Sequence, residues 1–289
     1  MFYGYGLVNN HVPTLRATVM GANGGGASIT DTDVLAFISA ASITTSSQKS
    51  AINTLVLDLK TASIWTKMKA IYPFVGGTAS QHRFNLKDPR ALDAAYYLTF
   101  YNGWTHSANG ALPSGTDGYA DTKLNPNTAL TSMNQHISYY SRTNSTANVN
   151  DNGCQDDLTA ATGKNIYAVW GASYLNYYMI QTLDANILTS SDTSSLGLIL
   201  ASRTSSTLLE GHRNGVKKTQ STTPTTSGKP NINVYLGALN YRNGAGTMST
   251  YYGVRETAFA SIGDGLTSAE ASSFYTAIQK FQTTLNRNV

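Results

Sequence analysis

Charge is what this sequence has least of. Lys, Arg, Asp and Glu make up 12% of its 289 residues, about half the share in an average chain. Glutamate occurs only as Glu210, Glu256 and Glu270, so acid–base chemistry by paired carboxylates has few residues to draw on. The lone cysteine, Cys154, excludes a disulfide framework and a cysteine-based zinc site. No apolar run approaches the roughly 20 residues of a membrane span. The N-terminus, MFYGYGLVNNHVPTLRATVMGANGGG, lacks the basic start and apolar stretch of a signal peptide. The net charge of +4 reflects missing acids. The bases are scattered, with Lys217-Lys218 the one adjacent pair, so nucleic-acid binding is not expected.

What is present is hydrophobic residues at 41%, 18 tyrosines, 25 glycines, and many Ser, Thr and Asn. Such a chain can bury a large core while staying soluble through neutral polar groups. That profile suits a β-rich surface of extracellular or virion type better than a cytosolic enzyme.

Three stretches are expected. Residues 1–29 read as an extended arm. Apolar residues fall roughly at alternate positions from Thr14 to Met20, and Gly24-Gly25-Gly26 form a joint. Residues 30–64 read as a helical lead-in. Thr30 is the expected cap of its first helix, with Asp31 and Asp33 in the first turn. Ile52, Leu55, Val56 and Leu59 give the second helix an apolar stripe. Residues 65–289 carry short strand-like runs, among them Lys69–Val75, Tyr96–Tyr101, His136–Arg142, Ile166–Trp170, Leu196–Arg203, Asn233–Leu239 and Val254–Ser261. Asn-Gly or Asp-Gly turn pairs stand at 102, 109, 117, 214 and 243. Short strands with frequent turn signals predict a sandwich rather than βαβ units. The last helix opens on Thr267-Ser268-Ala269-Glu270, the spacing of a capping box. Ala271, Phe274, Tyr275, Ile278, Phe281 and Leu285 form the stripe that should lie on a sheet.

The order of the motifs in the second half adds to this. LGLILASR (Leu196–Arg203), EGHRNGV (Glu210–Val216), NVYLGA (Asn233–Ala238) and FASIGDGLTSAE (Phe259–Glu270) resemble the laminin-G-like, concanavalin A-like lectin/glucanase domains. The resemblance implies a mainly β fold, a concanavalin A-like jelly-roll β-sandwich with two short N-terminal helices and a C-terminal helix. In it Asn214-Gly215 closes a hairpin and Gly237 permits close sheet-on-sheet approach. Ile64–Gly77, Phe84–Arg90, Gly103–Pro126 and Ile137–Thr143 are similar to segments of bacteriophage structural proteins, a likeness that covers roughly residues 30–289. It implies a virion component and transfers no catalytic or binding residues.

Glucanases of this fold carry carboxylates on alternate positions of one strand, and nothing here matches. Glu256 has no acidic neighbour two positions away, and Glu270 reads as a helix cap. There is no Gly-x-Ser-x-Gly. Cys154 reads as an incidental thiol in a polar loop, and the five histidines are dispersed. The protein is therefore expected not to be an enzyme and to need no cofactor, with calcium the one metal to consider. Laminin-G-like and pentraxin domains often bind calcium, and Asp117 and Asp121, with Asp151, Asp156 and Asp157, read as loop oxygens suited to a hard cation. The plainer reading of the same residues is as turn formers and surface solvation. The long polar segment Tyr101–Pro126 is the candidate binding loop. Tyr101, Asn102, Trp104, His106 and Tyr119 in it are the candidate glycan-binding residues.

The expectation is a non-enzymatic virion structural protein, assembled in the host cytoplasm. It would be displayed as a spike, fibre head or decoration and adhere to host-surface glycan. Its expected partners are other virion proteins, through residues 1–29, and copies of itself in a symmetric homo-oligomer. Two alternatives are a purely structural capsid or tail assembly protein and a polysaccharide depolymerase.

Overall fold

The computed structural model describes residues 28–157, 165–172, 175–182, 187–192, 194–224 and 228–289. Residues 1–27 of the expected arm lie outside the described residues.

The chain begins with α1 (Thr32–Ala40) and α2 (Ser46–Thr61), then β1 (Met68–Tyr72) and the one-turn α3 (Ala79–His82). Next come β2 (Thr99–Tyr101), β3 (Trp104–Ser107), β4 (Gly110–Pro113), β5 (Tyr119–Asp121), the one-turn α4 (Pro126–Ala129) and β6 (Gln135–Ser141). The middle of the chain supplies β7 (Val149–Asp156), β8 (Asn165–Ala172), β9 (Leu175–Thr182), β10 (Leu188–Ser191) and β11 (Gly197–Ser205). It closes with β12 (Leu208–Arg213), β13 (Val216–Ser221), β14 (Tyr235–Leu236), β15 (Leu239–Asn243), β16 (Gly246–Thr250), β17 (Thr257–Gly263) and α5 (Ser268–Thr284).

The strands form two sheets. The first has eight strands in the order β13-β12-β11-β6-β17-β4-β3, with β1 also paired to β17. The second has nine, in the order β10-β9-β8-β7-β14-β5-β2, and the β15–β16 ribbon joins it beside β7. Pairing is antiparallel except between β15 and β7. The expected fold class, a mainly β sandwich with two N-terminal helices and a C-terminal helix, is the one found.

Strand periodicity sorts the side chains into layers. Tyr139, Ile199, Ala260, Ile262 and Tyr72 point between the sheets, where they meet Ala120, Cys154, Tyr178, Ile180 and Leu236 of the second sheet. Tyr140, Leu198, Leu200, Phe259 and Ile71 point the other way, into a second core. That core is closed by Phe37 of α1, Ile52, Leu55 and Leu59 of α2, and Phe274, Ile278 and Phe281 of α5. The first sheet is thus covered on both faces, which explains apolar runs such as Leu198-Ile199-Leu200 where a half-exposed strand would alternate. Of the Tyr139-Tyr140 pair, neither faces solvent.

The helix starts follow from their caps. Asp31, not Thr30, caps α1, its carboxylate accepting from the Asp33 and Val34 amides at 3.0 and 3.3 Å. Lys60 of α2 reaches the same carboxylate at 2.7 Å. The capping box of α5 is complete, with Thr267 and Glu270 each accepting from the other's backbone amide. Lys67 donates to Glu270 at 2.7 Å and ties the helix start to the chain just before β1.

The turn pairs behave unequally. Asn214-Gly215, at φ 48° and 73°, closes the β12–β13 hairpin between Arg213 and Val216. Asn102-Gly103 closes no hairpin, because β2 and β3 belong to different sheets. The run Asn233–Leu239, expected as one strand, breaks at Gly237. There the backbone takes φ 73°, and a Cβ would lie 2.7 Å from the Trp104 ring. Only glycine fits where the two sheets approach that closely.

The polar run Val149–Asp156, expected as a loop around Cys154, is instead a strand whose residues are all buried. Several of its polar groups have individual partners, while the buried Asn150 side-chain amide has none among the described residues. Asn152 donates to the Ser138 carbonyl at 3.1 Å. Asp151 receives Arg255 Nη1 at 3.2 and 3.1 Å, and Arg255 Nη2 donates to the Ser145 and Ala147 carbonyls. Asp156 is held by the Arg242 guanidinium.

Candidate functional site

The candidate binding loop is divided by the sandwich. The chain crosses from the second sheet to the first at Asn102-Gly103, so residues close in sequence face different ways. Phe100 and Ala120 pack toward the inner core. Tyr101, Tyr119 and Asp121 alternate with them and therefore lie on the outer face of the second sheet. Tyr101 stands opposite Tyr119, and their rings stack at 4.8 Å and 14°. Tyr235 of β14, opposite Asp121, extends the stack, its ring 4.6 Å from Tyr119 at 21°. Three strands thus present one row of tyrosines. Tyr235 was not among the sequence candidates, although its alternation with the buried Val234 and Leu236 places it on this face.

A stacked row uses its ring faces internally. What it offers outward is ring edges, three phenolic hydroxyls, and the outer ring face of Tyr101, which is 38% exposed. Among the described residues no group hydrogen-bonds these hydroxyls. Burial, then the neighbouring Asp121 and Tyr119, raises the Tyr235 phenol. Burial, then Tyr101 and Asp121, raises that of Tyr119. Both therefore stay protonated and able to donate at physiological pH.

Beside the row, Asp121 accepts from the Lys123 amide at 2.8 Å and from Asn233 Nδ2 at 3.1 Å. Its other oxygen meets Lys123 Nζ at 3.0 Å. Asp117 lies in a turn organised by Ser114, whose hydroxyl donates to it at 2.8 Å. Asn102 donates to the Asp117 carbonyl at 3.0 Å and so closes the loop base. The two carboxylates, expected as calcium oxygens, have separate partners. Among the described residues no three His, Cys, Asp or Glu side chains gather as a metal cluster. Asp151 and Asp156 are strand residues with arginine partners, and Asp157 accepts from the Tyr241 hydroxyl at 2.8 Å.

Trp104 and His106 are on the inner side. The Trp104 ring packs edge-on to Phe100 at 5.2 Å and covers Gly237, and its buried Nε1 has no hydrogen-bond partner. His106 Nδ1 lies 2.9 Å from His82 Nδ1. The Gly77 amide donates to His82 Nε2, so His82 donates from Nδ1 and His106 accepts. Burial lowers both, His82 to about 3, and the pair is neutral. These two residues brace the end of the sandwich rather than join the tyrosine row.

The three glutamates are engaged in structural contacts. Glu256 pairs with Arg142 at 2.6 Å. Glu210 accepts from the Ser268 hydroxyl at 2.9 and 3.0 Å and meets Lys217 at 3.3 Å. Glu270 caps α5.

No family model matches the chain, and no curated protein does. Solved structures resemble it in shape. The binding domain of botulinum neurotoxin serotype G is 11% identical, with a TM-score of 0.44 over 72% of this chain and 50% of that one. Domain 4 of a GH43 extracellular arabinanase from Geobacillus stearothermophilus, in complex with arabinotriose, is 11% identical, with a TM-score of 0.41 over 72% of this chain and 98% of that one. The NanB sialidase from Streptococcus pneumoniae is 12% identical, with a TM-score of 0.38 over 52% of this chain and 25% of that one. The chain spans about half the length of the toxin domain it matches. At such identities and scores these are likenesses of shape, and the reading of the site rests on its own residues.

Proposed function

We propose that this chain is a non-enzymatic structural protein of a bacteriophage particle. In this reading it is displayed on the particle surface and adheres to host-surface glycan through the outer face of its second sheet. The observation that carries the binding reading is the row Tyr101, Tyr119 and Tyr235, with the Asp121–Lys123 pair beside it. Aromatic surface with flanking hydroxyls and amides suits sugars, whose C–H faces and hydroxyls need both. The virion reading is supported by the similarity of residues 30–289 to phage structural proteins and by the low charge. The non-enzymatic reading is supported by the glutamates, each held in the fold.

The test is retention on host cells and on an array of host-envelope glycans. Tyr101→Ser and Tyr119→Ser should reduce retention at least about tenfold with the thermal midpoint nearly unchanged. Equal retention by both variants would overturn the placement of the site.

A further inference from the structure

A second feature lies on the same face as the tyrosine row. Between β7 and the β15–β16 ribbon is a cleft of about 170 Å³ lined by Gln155, Leu239, Tyr241 and Tyr251. β8 takes one edge of β7, and β14 and β15 share the other, where Gly153 aligns with both Tyr235 and Leu239, so the row and the cleft adjoin. Tyr251 is 55% exposed and takes φ 51°, a left-handed conformation that is strained for a bulky residue. The fold enforces it: the Asn150 amide donates to the Tyr251 carbonyl at 2.9 Å, and the Gly253 amide to that of Gly237 at 2.7 Å. A strained backbone that presents an aromatic ring at the mouth of a cleft is a feature of binding sites.

The polar lining is ordered in advance. Asp157 accepts from the Tyr241 hydroxyl at 2.8 Å and from Gln155 Nε2 at 3.1 Å. That orientation leaves Gln155 Oε1 as an acceptor for a ligand hydroxyl. Arg242 is spent on Asp156, so no described lysine or arginine lines the cleft, and the nearby carboxylate of Asp157 disfavours an acidic ligand.

We infer that the cleft is a second saccharide subsite, continuous with the tyrosine row, and that this face takes an internal stretch of a neutral polysaccharide rather than one terminal sugar. The inference rests on the glycan reading and adds ligand length and charge to it. With strands roughly 4.8 Å apart, the steps from β2 through β5 to β14 span about 10 Å before the cleft beside β15 is reached. That is longer than any monosaccharide.

The test uses gel retardation and calorimetry with a panel of neutral polysaccharides, each offered as intact polymer and as a graded series from monosaccharide to hexasaccharide. Affinity should rise at least about tenfold between the short and long oligomers. Tyr251→Ala and Gln155→Ala should each lower polymer affinity several-fold and leave the short oligomers, held by the tyrosine row, within about twofold. Tyr119→Ala should weaken both. If the monosaccharide binds as tightly as the hexasaccharide, or if both cleft variants keep full polymer affinity, the second subsite is wrong and the glycan reading stands. Tighter binding of acidic than of neutral polymers overturns the charge assignment. If neither polymers nor host-envelope glycans bind the unaltered protein, both readings fall.

Discussion

The outward faces of the two sheets differ although both sheets share one inner core. On the first sheet the outward positions hold Leu198, Leu200, Tyr140 and Phe259, and α1, α2 and α5 close over them. On the second they hold Tyr101, Tyr119, Tyr235, Asp121 and Gln155, and the apolar cluster found there among the described residues is a small one around Met179 and Leu239. Strand geometry is the same in both, and side-chain chemistry alone decides which face becomes a core. The helix-covered face should govern stability, and the tyrosine face should govern binding.

The strongest way to break that division is Phe274→Ala. The ring is fully buried and meets Phe259 at 5.9 Å. Its loss should cost about 3–5 kcal/mol, read as a lower urea midpoint, while glycan retention of the folded fraction is kept. A smaller loss, about 1 kcal/mol, is expected from Thr267→Ala, which removes the side-chain half of the α5 capping box, again without effect on binding. Tyr119→Ala should reverse the pattern. Only cross-strand ring contacts worth roughly 0.2–1 kcal/mol are lost, yet retention should collapse. If Tyr119→Ala unfolds the protein, the row is a structural element and the comparison fails.

The smallest effect is that of acid. Burial pushes Glu270 up, but the hydrogen bonds from Lys67 and Thr267 outweigh it, and its pKa ends below the ordinary value of 4.5. Asp31 likewise ends below 3.8, because Lys60 and the Val34 amide outweigh its burial. A carboxylate with a depressed folded pKa contributes stability that is complete above its unfolded pKa and is lost as pH falls through the folded one. The urea midpoint should therefore decline below about pH 4.5, and Glu270→Gln should flatten part of that decline. Binding by the tyrosine row, where the raised Tyr119 and Tyr235 phenols stay protonated, should not change between neutral pH and that point.

The helix-covered layer was legible in the sequence because helical spacing is explicit in Ile52, Leu55, Val56 and Leu59 and in the α5 stripe, and because Thr267 and Glu270 mark a start. The site was legible in part. Tyr101 and Tyr119 were visible as aromatics in a polar segment. That Trp104 and His106 turn inward follows from the crossing between sheets at Asn102-Gly103, which no local pattern announces. The strand at Val149–Asp156 escaped notice because its residues read as solvated. The partners that let Asp151, Asn152 and Asp156 be buried, Arg255, the Ser138 carbonyl and Arg242, are all distant in sequence.

The pairing of β1 with β17 also has a consequence in time. Met68 aligns with Gly263, Tyr72 with Ala260, so the earliest strand of the first sheet waits for a partner that leaves the ribosome about 190 residues later. Loops of that length make folding slow. Until β17 arrives, α1 and α2 have no finished sheet on which to bury Phe37 and Leu55. A nascent chain of this protein should therefore lean on chaperones until its last strand is made, and truncations before residue 257 should aggregate rather than fold in part.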